Sequence, residues 1–264
     1  MALSDYFQNN DLTQKALEGY SSFVSRIGWP VQAKLHLYRL AKQVFESADA
    51  NEKKKENFKT IYDDLKANYN VFLDTSRERA KHWHWERVFQ TFTTECLPCA
   101  RPSRITLMSD LENPSNLVPL MDHLKRLVGI KEKNAYPIMV VSKFSHFFNP
   151  SLFPIYDTKV IENMVMEGQF IEDWTSFRLA SSVGTDETSS FPGLWYALHY
   201  ILWASHMIRN SGRNLMGTFA DWFTKQVGND HGVEDMRLDL SGYYATAFEF
   251  IAIGAMEVER QKGL

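Results

Sequence analysis

The sequence predicts an all-α protein, a helical bundle of two closely packed lobes. Three observations lead there. Almost every long segment repeats its apolar residues at helical spacing. Strand signals are confined to short runs such as Arg104–Met108. Only 9 Pro and 13 Gly punctuate 264 residues that are 44% hydrophobic, which is enough to enclose a full core. The chain is expected to form a single compact helical unit over residues 1–264.

Asp11–Arg26 is the first amphipathic helix, stopped by Gly28 and Pro30. Val31–Ala48 carries Leu35, Leu37, Leu40, Val44 and Phe45 on one side. In Glu52–Tyr69 the residues Phe58, Ile61, Tyr62, Leu65 and Tyr69 form an apolar stripe at i, i+3, i+4, i+7 and i+11 on a charged helix. Arg77–Thr91 is the next helix, and it holds the run Lys81-His-Trp-His-Trp-Glu-Arg87. Trp83 and Trp85 stand two apart and cannot share a helix face, so one packs inward while the other lies nearer solvent or a ligand. Leu97–Pro119 is loop-like, with Pro98, Pro102, Pro114 and Pro119. Ser115 or Asn116 caps a helix that runs to Leu127 and ends at Gly129. Thr158–Glu167 is a short helix closed by Gly168, Glu172–Ser182 carries no decisive pattern, and Val183–Ser190 reads as a surface loop. Pro192–Ile208, with Leu194, Trp195, Leu198, Ile201, Leu202 and Trp203, is apolar nearly all round and is expected at the domain centre. Asn214–Val227 and Gly242–Arg260 complete the set.

Chemistry gathers in Val140–Val160. Its first half is an apolar helix carrying Ser142, Lys143 and His146, and a loop with Pro150 and Pro154 then delivers Asp157 to the start of the next helix. Each proline locks φ and biases the residue before it toward extended geometry, so the carboxylate is aimed. The plain reading of Asp157 is an N-cap. The sharper reading keeps that geometry and adds chemistry, because a carboxylate held at a helix N-terminus stays ionised and can face a developing cation. Lys143 reads either as a solvated helix lysine or partner of Asp157, or as a nucleophile. His146 reads either as a core histidine or as a phosphate ligand. The tryptophan run reads either as core or as a stacking surface for bases beside phosphate-binding cations.

The order of a helix, a proline-containing loop and then Pro154-Ile-Tyr-Asp-Thr-Lys-Val160 resembles the helix-hairpin-helix DNA glycosylase superfamily, in which such a loop precedes a catalytic Asp that opens a helix. Upstream, Leu127-Val-Gly-Ile-Lys-Glu-Lys-Asn-Ala135 is similar to the hairpin of that family, with Gly129 kept and Lys131 where the second glycine belongs. Lys133 stands further from Asp157, and Lys143 nearer, than the family usually places its lysine. The resemblance covers residues 115–168. It implies a glycosylase-like fold and an enzyme that flips a modified or damaged base out of DNA, cleaves its N-glycosidic bond and leaves an abasic site. Asp157 is then the carboxylate that faces an oxocarbenium-like transition state, and Lys143, or Lys133 by the hairpin alignment, is the candidate for Schiff-base attack. The substrate-binding candidates are Ser142, His146, Tyr156, Trp83 and Trp85; the DNA-binding candidates are Gly129, Lys131, Lys133, Arg79, Arg87 and Arg104. The compact Ser-Lys-x-x-His-Phe pattern followed by Phe-Pro-Ile-Tyr-Asp is similar to divergent bacterial members, and a role against hypermodified phage DNA is compatible with it.

The net charge is −3, which gives no overall basic footprint, although Arg77, Arg79, Lys81 and Arg87, then Arg101 and Arg104, form local basic clusters. Cys96 and Cys99 make a single Cys-Leu-Pro-Cys with no second ligand pair, so no metal, iron–sulfur cluster or other cofactor is expected. No apolar run approaches bilayer length and no signal-peptide pattern opens the chain, so a cytoplasmic location and no membrane partner are expected. The resemblance implies DNA as the partner, and a monomer is expected. The reading from another class is a catalytically inert helical module that binds DNA or a protein, with Asp157 only a cap.

Overall fold

The computed structural model describes residues 1–28, 31–46, 52–68, 85–91, 93, 120, 137–156, 165, 168–180, 192–227 and 243–263. Among the described residues the regular structure is all helical, with no strand. No helix among them is long and apolar enough to cross a membrane. In chain order the helices are α1 (Leu3–Gln8), α2 (Asn10–Ile27), α3 (Val31–Glu46), α4 (Glu52–Asn68) and α5 (Trp85–Thr91), followed by α6 (Pro137–Phe148), α7 (Ile171–Ala180), α8 (Pro192–Arg209), α9 (Leu215–Val227) and α10 (Tyr244–Lys262). The expected elements at 77–84, 97–119 and 158–161, the hairpin at 127–135 and the loop at 183–190 lie outside the described residues.

Local chemistry sets the helix ends. The Asn9 side chain accepts hydrogen bonds from the Asp11 and Leu12 N–H groups (2.9 and 3.3 Å), which satisfies two orphan donors at the start of α2. Gly28 closes that helix at φ 73°, the left-handed conformation that glycine adopts without steric strain. Two helices escape the sequence pattern. In α1 six residues are too few to display a period, yet Leu3, Tyr6 and Phe7 are buried at i, i+3 and i+4. The Thr13 hydroxyl donates to the Tyr6 carbonyl (2.6 Å) and fastens α1 to α2. In α7 the buried Trp174 is offset by Ile171, which is 41% exposed, so the apolar spacing points to no single face.

The centre belongs to α10, whose residues from Ala245 to Glu257 are all buried. The sequence points to α8 instead; α8 packs around α10 and still exposes His206 and Arg209. Tyr20 of α2 stacks on Phe250 of α10 with ring centroids 4.0 Å apart, and Phe219 and Trp222 of α9 meet the same ring edge-on, each at 5.8 Å. Charge reaches inside as well: Glu257, with a side chain 2% exposed, pairs with Arg26 at 3.0 Å and with Arg260 at 2.7 Å. The hydrogen bond from Arg260 holds the Glu257 carboxyl below the usual carboxylate range. Among the described residues the buried apolar side chains, Ile155 apart, form one contiguous cluster that runs from Leu3 to Met256.

Helices α2 and α10 approach backbone to backbone at two glycines. A Cβ on Gly254 would stand 1.7 Å from the Ala16 carbonyl oxygen, and one on Gly19 would stand 2.5 Å from the Gly254 oxygen. Neither neighbour is a movable side chain. Gly254→Ala should therefore destabilise the protein by about 3 kcal/mol, the upper end of overpacking costs. Gly217→Ala is the contrasting case: the residue is exposed, its Cβ would meet only the Asn214 side chain at 2.4 Å, and the gain in helix propensity of up to about 1 kcal/mol favours the variant. Urea denaturation of the two variants measures the contrast, and equal midpoints would contradict the close crossing.

Candidate functional site

The sequence candidates Ser142, Lys143 and His146 lie on one helix, α6, and Tyr156 ends the loop that follows it. The structure buries three of them, with Lys143 3% exposed, His146 0% and Tyr156 3%, and leaves Ser142 half-buried and bonded to Tyr156. Spacing accounts for this, because residues 142, 143 and 146 stand at i, i+1 and i+4 and so fall within about 100° of one helix face.

Four residues that the sequence reading did not single out complete the cluster: Lys34 and Tyr38 of α3, and Thr246 and Glu249 of α10. Lys34 Nζ donates to Glu249 Oε1 at 2.5 Å, and both side chains are almost fully enclosed. Burial lowers the pKa of Lys34, Glu249 opposes that, and the nearby positive charge of Lys143 lowers it further. The other carboxylate oxygen, Glu249 Oε2, lies 3.3 Å from His146 Nε2 and receives a hydrogen bond from no described residue. A signal for these residues exists in the sequence. Lys34 stands on the apolar stripe Val31, Leu35 and Tyr38, and Glu249 sits between Phe248 and Phe250; each is a charge where the helical period asks for an apolar residue.

The hydrogen bonds assign the histidine tautomer. His146 Nδ1 is 2.8 Å from the Phe153 carbonyl, which can only accept, so Nδ1 carries the proton. In the neutral ring Nε2 is then an acceptor, and the Tyr38 hydroxyl donates to it at 2.5 Å while the Thr246 hydroxyl, 3.1 Å away, donates to the Tyr38 oxygen. Burial together with the charge of Glu249 raises the pKa of Tyr38 well above the ordinary phenol range, so the hydroxyl keeps its proton.

The same cluster anchors the loop from residue 149 to 156 at three points. The Phe153 carbonyl is held by His146. The Pro150 carbonyl accepts from the Ala245 and Thr246 N–H groups at 3.0 and 3.3 Å, so the loop caps the first turn of the central helix. Ser142 Oγ accepts from the Tyr156 N–H at 3.1 Å and donates to the Tyr156 carbonyl at 3.2 Å. Leu152, Phe153, Ile155 and Tyr156 are buried, which makes the loop part of the core.

The remaining candidates lie elsewhere. Trp85 is half-buried in α5 with the Lys59 ammonium 6.0 Å from its ring centroid, and the neighbouring Phe89 meets Phe58 of α4 at 5.0 Å. The helix backbone of Arg87 is described but its side chain is not. Asp157, Trp83, Arg79, Arg104, Gly129, Lys131 and Lys133 lie outside the described residues. Among the described residues no three His, Cys, Asp or Glu side chains gather as metal ligands. Comparison with family models, with curated proteins and with solved structures yields no match.

Burial pushes the pKa of His146 down to about 4 from the ordinary 6.5, against the upward pull of Glu249. At pH 7 the ring is neutral in the folded and unfolded chain alike. As the pH falls below 6.5 the unfolded chain binds a proton that the folded chain refuses until about pH 4, so stability is lost across that window. By pH 5 the loss should be about 2 kcal/mol. His146→Gln removes the titrating group, so the stability margin of the parent over this variant should shrink by that amount between pH 7 and pH 5 in urea denaturation. A margin independent of pH would refute the assignment.

Proposed function

We propose that the chain is a DNA glycosylase of the helix-hairpin-helix kind, built as two closely packed lobes. It draws a modified or damaged base from the duplex, hydrolyses the N-glycosidic bond and leaves an abasic site. Hypermodified phage DNA falls within that substrate class. The observation that carries the reading is the anchoring of the loop. Both polar backbone groups of Tyr156 are bonded to Ser142, and its carbonyl belongs to the peptide that joins it to Asp157. Such fixation is what electrostatic catalysis asks for, since a carboxylate already in place stabilises developing charge without reorganisation.

In this reading Asp157 faces the positive charge that grows on the sugar as the base departs, and water completes the hydrolysis. Lys143 is 3% exposed, and in this reading it does not attack the sugar. A second reading is a helical module that binds DNA or a protein without catalysis, in which Asp157 only caps a helix; the net charge of −3 weighs against DNA and toward a protein partner.

Asp157→Asn separates the two. Asn keeps the size and much of the capping ability of Asp, so the variant should stay folded and bind DNA while base release, scored as abasic sites in duplexes carrying a panel of damaged and modified bases, falls about 100-fold or more. Equal rates in parent and variant, or no release by the parent from any duplex, would sink the glycosylase reading. Borohydride should trap no protein–DNA adduct. An adduct that disappears with Lys143→Gln or with Lys133→Gln would assign the attack to that lysine instead.

A further inference from the structure

A pocket of about 490 Å³ opens between α1, α7 and α8, away from the anchored loop. That is within the range of about 300–1,000 Å³ usual for small-molecule sites. Phe7, Trp203 and Met207, all buried, form its floor, and Phe177 and His206 stand at its side with ring centroids 5.3 Å apart. Flat apolar faces of this kind suit a planar ring.

The polar groups narrow the choice. Asp173 lines the pocket, and its two oxygens are in different situations: Oδ2 accepts from the Leu3 N–H at 2.7 Å, whereas Oδ1 receives a hydrogen bond from no described residue. An ionised carboxylate oxygen accepts and cannot donate, so an occupant that displaces water from it brings an N–H or O–H donor. Among the described residues no Lys or Arg lines the pocket to pair with the carboxylate. The hydroxyls of Ser4 and Ser176 are also on the wall, and each can donate to a ring nitrogen. The Asn210 amide nitrogen is already engaged, donating to the His206 carbonyl at 3.0 Å.

We propose that this pocket binds a planar heteroaromatic ring bearing an exocyclic amino group beside a ring nitrogen, the edge that adenine presents. The amino group donates to Asp173 Oδ1 and the ring lies on the aromatic floor. The inference stands on the pocket alone and does not depend on the glycosylase reading.

Isothermal titration of the full chain with adenine and with hypoxanthine tests it, because hypoxanthine puts a carbonyl where adenine has its amino group. The parent should prefer adenine by about 10- to 100-fold, the range expected for one hydrogen bond to a charged group. In Asp173→Asn the amide oxygen can keep the Leu3 contact while the NH₂ group replaces Oδ1, so the preference should reverse toward hypoxanthine. Ser176→Trp leaves the Leu3 contact alone and fills the pocket, so it should abolish binding of both purines with the helical circular dichroism unchanged. The proposal is overturned if the parent binds neither purine at millimolar concentration, if it binds both equally, or if Ser176→Trp leaves adenine binding intact. None of those results bears on base release by Asp157→Asn, so the two readings fail separately.

Discussion

The ion pair between Lys34 and Glu249 constrains the rest of the molecule. Removing two charges from water costs several kcal/mol per ion, and only close contact with good hydrogen bonding offsets that. Here the two atoms meet at 2.5 Å, and the ammonium also lies 4.7 Å from the Phe250 ring centroid and 5.4 Å from that of Tyr20, distances at which cation–π attraction is appreciable. A charge left alone in such a place costs about 3–5 kcal/mol, so a slip of α3 against α10 is strongly penalised. Registry follows from electrostatics, while the bulk of the stabilisation comes from the aromatic packing around Phe250.

Around Glu249 the loop is tied to the core by hydrogen bonds that do not pass through the carboxylate itself. The second oxygen of Glu249 lies 3.3 Å from His146 Nε2 and takes no hydrogen bond among the described residues, while His146 holds the Phe153 carbonyl and the Pro150 carbonyl of the same loop caps the helix on which Glu249 sits. Because of that cap, the loop cannot shift without disturbing the start of the central helix. Preorganisation of the segment leading to Asp157 is thus a property of the core. This explains why His146 and Ser142 are spent on backbone groups and why the chain tolerates so many polar atoms inside.

Aromatic rings connect the anchored loop to the pocket. Tyr156 meets Tyr200 at 5.8 Å, Tyr200 meets Trp203 at 6.5 Å, and Trp203 forms part of the pocket floor. The loop and the pocket therefore share one packed interior, and each presents its polar groups from a rigid wall rather than from a free segment.

By itself the sequence determined the helical class and the position of most helices, because amphipathic spacing and local stops are encoded within a few residues: Asn9 and Gly28 bound α2, and the stripe Phe58, Ile61, Tyr62 and Leu65 faces inward as its period requires. It also singled out Lys143, His146 and Tyr156, which are buried, and Ser142, which is half-buried and bonded to Tyr156. Short or irregular elements such as α1 and α7 were not legible, since six residues cannot show a period and an exposed Ile171 blurs one. Which helix lies at the centre was decided only by tertiary structure. Of the three carboxylates on α10, Glu249 and Glu257 are buried where composition alone would send them to the surface, and they are tolerated because cations from other helices and from the last turn of α10 reach them: Lys34 meets Glu249, and Arg26 and Arg260 meet Glu257. Compensation of a buried charge depends on residues more than two hundred positions away in the chain, and no local pattern records that distance.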